Sequence, residues 1–71
     1  MQFTFTMYIS FEDFLPYYRG YVKNVEVRDV RGKLLHINGK YFRPFVTTSG
    51  IQGQFVLQLD ASGKFISLNK I

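Results

Sequence analysis

The sequence predicts a small α+β domain: one twisted antiparallel sheet of about five strands, with one short helix after the first strand. Three observations carry that expectation. Residues 2–9 alternate polar and apolar side chains, which is the period of a half-buried strand. Residues 10–18 switch to helical spacing behind a serine, the usual opening of an amphipathic helix. Short alternating runs separated by glycine-bearing turns then follow to the end of the chain, as in a set of hairpins. The predicted order is β-α-β-β-turn-β-β, and the twist of such a sheet allows it to curl toward a small open barrel.

Each element has a local reason. In the first strand Phe3, Phe5, Met7 and Ile9 share one side, and Gln2, Thr4, Thr6 and Tyr8 the other. Ser10 can cap the helix that follows, with Asp13 at the third helical position as in a capping box. Glu12 and Asp13 suit the positive end of the helix dipole. Phe11, Phe14, Leu15 and Tyr18 fall on one helical face. Pro16 removes an intrahelical bond, so a kink or tightened turn is expected beside it, and Gly20 stops the helix. A second strand is expected over 21–30 with Val25 and Val27 inward, and a third over 33–37 with Leu35 and Ile37 inward. Arg31-Gly32 turns between them.

Asn38-Gly39 breaks the third strand, and Pro44 interrupts the next candidate. Residues 39–45 therefore read as a short helical or irregular turn anchored by Tyr41, Phe42 and Phe45. Residues 46–53 are the most loop-like stretch. The fourth strand is expected over 54–60 with Phe55, Leu57 and Leu59 on one side. A turn at Asp60-Ala61-Ser62-Gly63 leads into a fifth over 64–70, with Ile66 and Leu68 toward the core. On this reading the chain has no repeats, linkers or low-complexity segments.

Composition bounds the rest. Seventy-one residues make one domain, 1–71, with a thin core. Eight Phe and five Tyr, with no Trp, supply large side chains for it. The absence of cysteine excludes a disulfide framework and a thiolate zinc site. No run approaches the ~20 apolar residues of a membrane span, and residues 1–9 lack the pattern of a signal peptide. A cytoplasmic location is the default expectation. The formal charge of +4, from nine Lys and Arg against five Asp and Glu, permits contact with an acidic partner or nucleic acid without requiring it.

Several segments, taken in order, mark a family. They are Phe11-Glu12-Asp13-Phe14-Leu15 leading to Tyr17-Tyr18-Arg19-Gly20, then Arg43-Pro44-Phe45-Val46, then Gly50-Ile51-Gln52-Gly53-Gln54-Phe55, then Gly63-Lys64-Phe65-Ile66-Ser67-Leu68. In these the chain resembles domain-of-unknown-function family 2835, a group of short bacterial proteins. The resemblance spans almost the whole chain and implies no activity, substrate or cofactor. Pro16 departs from the ordinary helix former such sequences carry there. Thr47-Thr48-Ser49 lacks a histidine associated with that loop, which weakens a catalytic or metal reading of it.

The residues themselves point away from catalysis. His36, the only histidine, lies between two inward residues and has no carboxylate near it in sequence to share acid–base work. It reads as a surface histidine. Glu12 and Asp13 are about 100° apart on a helix, so they do not converge, and capping accounts for them. Thr47, Thr48 and Ser49 have no identifiable base. Gly50 and Gly53 lack the strand-to-helix setting of a phosphate loop. The expectation is a protein without enzymatic activity, cofactor or metal.

Binding is the remaining class. Arg43 stands between Phe42 and Phe45, close to Tyr41 and to Ile51 across the loop. This group is the candidate surface for an unknown protein partner, because tyrosine and arginine anchor many interfaces. An alternative role for Arg43 is to pin the turn to the sheet through backbone carbonyls. Arg19, Lys23, Arg28, Arg31 and Lys33 form the candidate basic surface, with Tyr17, Tyr21 and Tyr41 for stacking. They support the alternative reading, single-stranded RNA binding. Glu26 and Asp29 interrupt that basic run. A protein-interaction or regulatory module is the first expectation and nucleic acid the second, as monomer or homodimer and without a membrane.

Overall fold

The alternation of residues 2–9 becomes a strand. In the computed structural model, which describes residues 1–71, β1 spans Gln2–Ile9, α1 Phe11–Tyr18, β2 Asn24–Arg28, β3 Leu34–Asn38, β4 Ile51–Leu59 and β5 Phe65–Lys70. A 3-10 helix, Gly39–Phe45, joins β3 to β4. It takes the short helical form expected there, with the Asn38 side chain accepting from the Lys40 amide at 3.0 Å.

The helix begins and ends by capping. Ser10 Oγ accepts from the Asp13 amide at 3.1 Å. At the other end the Gly20 amide donates to Tyr17 O and the Tyr21 amide to Pro16 O, the paired bonds of a Schellman stop. Pro16 lies inside the last turn, where its missing N–H costs little regular helix.

The strands divide between two antiparallel sheets, β1-β4-β5 and β2-β3. This corrects the expectation of one five-stranded sheet. β1 pairs with β4 along its full length, from Gln2 opposite Gln58 to Ile9 opposite Ile51. Beside β2 it makes one backbone bond, from the Val30 amide to Thr4 O at 2.8 Å. Toward the other end Tyr17 and Val22 line a cleft between the two strands, so the ladder does not continue.

The stretch expected to be most loop-like is half strand. Thr47 and Gly50 exchange backbone bonds of 2.8 and 2.9 Å around a tight turn, and β4 starts at the next residue, Ile51. Gly50 makes this possible. Its φ is +102, and a Cβ there would strike Ile9 O and lie 2.7 Å from the Phe11 amide nitrogen. Only glycine lets the turn pass so close to the β1–α1 junction.

The chain also contains a repeat that the sequence reading did not find. Val25–Asn38 and Val56–Asn69 align without a gap, with Val25/Val56, Asp29/Asp60, Gly32/Gly63, Lys33/Lys64 and Asn38/Asn69 identical. The two turns are the same structure. In each, the aspartate Oδ1 accepts from the amides two and four residues on, at 2.9 and 2.7 Å for Asp29 and 2.9 and 2.8 Å for Asp60. Gly32 and Gly63 share a φ of +87, which glycine adopts without strain. The hairpins then diverge, because β5 carries a register shift opposite Gln58/Leu59. The shift turns Phe65 inward and leaves Ile66 57% exposed, correcting the expectation that Ile66 faces the core. A bulge of one residue inverts the alternation beyond it.

The core is a Phe cluster between the sheets. Phe5 and Phe55 are directly opposed on β1 and β4 and stack at 5.6 Å. Phe42 meets both edge-on, at 6.2 and 5.8 Å. Val25, Leu35 and Ile37 cover this cluster from the second sheet, and Phe14 from the helix. No helix is long and apolar enough to cross a membrane.

Candidate functional site

The surface anticipated around the 3-10 helix is split by the fold. Phe42 and Ile51 are fully buried, so neither can touch a partner; both fill the core instead. Phe45 packs edge-on against Phe55 at 5.3 Å and is half-buried. Tyr41 is half-buried too and stacks on Phe65 at 3.6 Å, with the planes 4° apart. Arg43 is exposed and reaches back to the helix. Its Nη2 donates to Tyr18 O at 2.9 Å, and its guanidinium lies 5.1 Å from the Tyr18 ring. It ties the 3-10 helix to the C-terminus of α1, where a cation meets the negative end of the helix dipole.

The basic residues form two groups. Arg28, Arg31 and Lys33 gather at the β2–β3 turn, where Arg28 Nη1 donates to Gly32 O at 2.8 Å and Lys33 Nζ lies 5.8 Å from the Phe3 ring. Arg19 and Lys23 sit beyond the far end of β2, about 17 Å away at the rise of a strand. Tyr21 is 79% exposed on that far side. Tyr17 stacks on Phe14 at 5.8 Å and is half-buried.

His36 has a neighbour that sequence distance hides. The ladder puts it opposite Glu26, and its Nδ1 lies 3.8 Å from Glu26 Oε1, with the two side chains 54% and 64% exposed. The imidazole is on the surface, as expected, and an open solvated pair of this kind contributes little to stability.

The site that sequence reasoning missed is a groove beside β3. It has a volume of about 380 Å³, and nine of its thirteen lining residues are hydrophobic. All five residues of β3 line it, whichever side of the sheet they face. A strand presents every residue in turn only along its edge. β3 has one ladder partner, β2, and the outer edge is therefore open. The bonds from the Asp29 amide to Lys33 O and from the Gly39 amide to Lys23 O set the alternation between them. Leu35 and Ile37 bond to β2, while the amides of Leu34, His36 and Asn38 and the carbonyls of Leu34 and His36 point into the groove; the Asn38 carbonyl, at the N-cap of the 3-10 helix, accepts the first bond of that helix. Tyr41, Phe65 and Leu59 form the opposite wall, and Lys33 stands at one end. No local signal marks β3 as an edge; that depends on where β5 lies.

A second groove, of about 260 Å³, runs along the helix and is lined by Phe11, Phe14, Leu15, Tyr18 and Val46.

Comparison with known protein families matches the whole chain, residues 1–71, to the family described as "Protein of unknown function (DUF2835)". The chain belongs to this family. The resemblance read from its segments is thereby established over its full length, including the helix and the turn that carry Arg43. No curated protein and no solved structure matches the chain.

Proposed function

We propose that this domain is a non-catalytic protein-interaction module that takes an extended segment of a partner as an added strand on the edge of β3. The observation that carries this reading is the open edge itself. The outward amides of Leu34, His36 and Asn38, with the carbonyls of Leu34 and His36, border an apolar groove. An edge in that setting offers backbone bonds for affinity and a groove for alternate side chains of the ligand. Charge adds a preference. The only acid–base contact within the chain is Glu26–His36, so Lys33 is free for a carboxylate. The segment that fits is extended, apolar at alternate positions, and carries Asp or Glu at one end.

The test is selection from displayed random peptides, followed by binding to a His36→Pro variant. Proline there removes an amide that faces the groove and none that bonds to β2, so the hairpin persists. Selected peptides are expected to alternate apolar residues and carry an acid, and His36→Pro is expected to weaken them at least tenfold. Equal binding by the variant would move the site elsewhere. Tight binding of a uridine oligonucleotide at physiological salt, with no peptide selected, would reverse the order in favour of nucleic acid.

A further inference from the structure

The helix carries an apolar stripe that its own core does not use. Phe14 is turned inward and buried, and Tyr17 packs on it. Phe11 and Tyr18 remain 41% and 49% exposed, with Leu15 half-buried between them. Positions 11, 15 and 18 lie in one line along a helix, and here they line the second groove, with Val46 on its floor.

The charges beside this stripe are arranged by polarity. Glu12 and Asp13 stand in the first turn of α1 and Arg19 caps its end. Glu12 and Arg19 are seven residues apart, about two turns, and so project from the same side of the helix next to the stripe. All three are exposed, and none has an ion-pair partner within the chain. A surface acidic at one end, basic at the other and apolar between is complementary to itself turned end for end.

We infer that α1 is the interface of a twofold homodimer, packed antiparallel against the same helix of a second copy. A twofold axis beside Leu15 sets Phe11 against Tyr18 of the partner subunit and Glu12 opposite Arg19 of the partner subunit. Both ion pairs form at once, as an isologous contact requires. Opposite charges meet only in the end-for-end arrangement. The surface is separate from the β3 groove, so this inference stands or falls independently of the proposed peptide site. The contact is small, and a weak dimer is expected.

Sedimentation equilibrium from roughly 10 µM to 1 mM protein covers the range in which such an interface associates. The wild-type chain is expected to pass from monomer to dimer. Glu12→Arg and Arg19→Glu each set like charges together twice and are expected to weaken the dimer about tenfold or more. An equimolar mixture of the two variants restores opposite pairs on both sides of the axis, as does the double variant, and both are expected to recover the dimer. A wild-type chain that stays monomeric at the highest concentration overturns the inference, and so does a mixture no stronger than its components. Dilution of the wild-type protein alone provides a readout that needs no variant. Its amide resonances are expected to move at residues 11–15 and 17–19 and at Val46; movement centred on β3 or β5 would place the contact on a sheet edge and overturn the helix interface.

Discussion

The β2–β3 and β4–β5 hairpins start from the same turn and reach different ends. Asp29 and Asp60 each gather two backbone amides onto one carboxylate oxygen, and a glycine of φ +87 completes both loops. The first turn is held against β1 by the bond from Val30 to Thr4, and Asp29 is buried. The second makes no such bond to β1, and Asp60 gains the Ser62 hydroxyl at 2.8 Å instead. After the turns, β3 runs in even register and puts Leu35 in the core at 5% exposure, while the bulge in β5 leaves the matching Ile66 outside. Local sequence sets the turn; the register of the following strand sets which side chains are buried.

The sharpest way to break this comparison is to truncate the matched pair. Leu35→Ala leaves a cavity in the core and is expected to cost about 3 kcal/mol, a large share of the stability of so small a domain. Ile66→Ala is expected to cost under about 1 kcal/mol. Urea unfolding of both variants checks the pair, and equal losses would show that the bulge does not expose Ile66. The turns come next. Asp29→Ala strands two part-buried amides and is expected to cost about 2 kcal/mol. Asp60→Ala is expected to lower the unfolding midpoint by less, because water can reach the amides it frees.

The smallest effect is with pH. Bonds from the Lys64 amide first, and then from the Ser62 hydroxyl, hold the Asp60 carboxyl below its ordinary value of 3.8. The folded state therefore favours the charged form. That contribution is complete above the unfolded value and is lost as pH falls through the lowered one. The side-chain carboxyl resonance of Asp60 is expected to titrate below 3.8, and acidification from about pH 5 to about pH 2 should weaken wild type slightly more than Asp60→Asn. A midpoint above 3.8 would mean that the turn does not hold its bonds in solution.

Much of the fold was legible in the chain. The Ser10 cap, the Gly20 stop, the alternation of β1 and the 3-10 form of 39–45 all rest on neighbours within a few residues. The repeat was legible as well, in two Asp-x-x-Gly-Lys segments of equal spacing, and was missed because few of the intervening side chains match. The candidate site was not legible. Phe42 and Ile51 join the expected contact surface only because they lie close to Arg43 in sequence. Packing overrode that, since the Phe5–Phe55 stack needed an edge-on ring to cover it.

By itself the sequence determined most of the local decisions: the alternation of β1, where the helix is capped, and where the chain turns on glycine. Those choices are settled by backbone sterics and by bonds across two to four residues. Tertiary structure alone decided that the five strands form two sheets, that one residue of β5 bulges, and that β3 keeps a free edge beside an apolar groove. Each of these depends on which distant strand arrives as a neighbour, and a pairing between residues fifty apart, such as Phe5 with Phe55, leaves no mark on the residues beside either one.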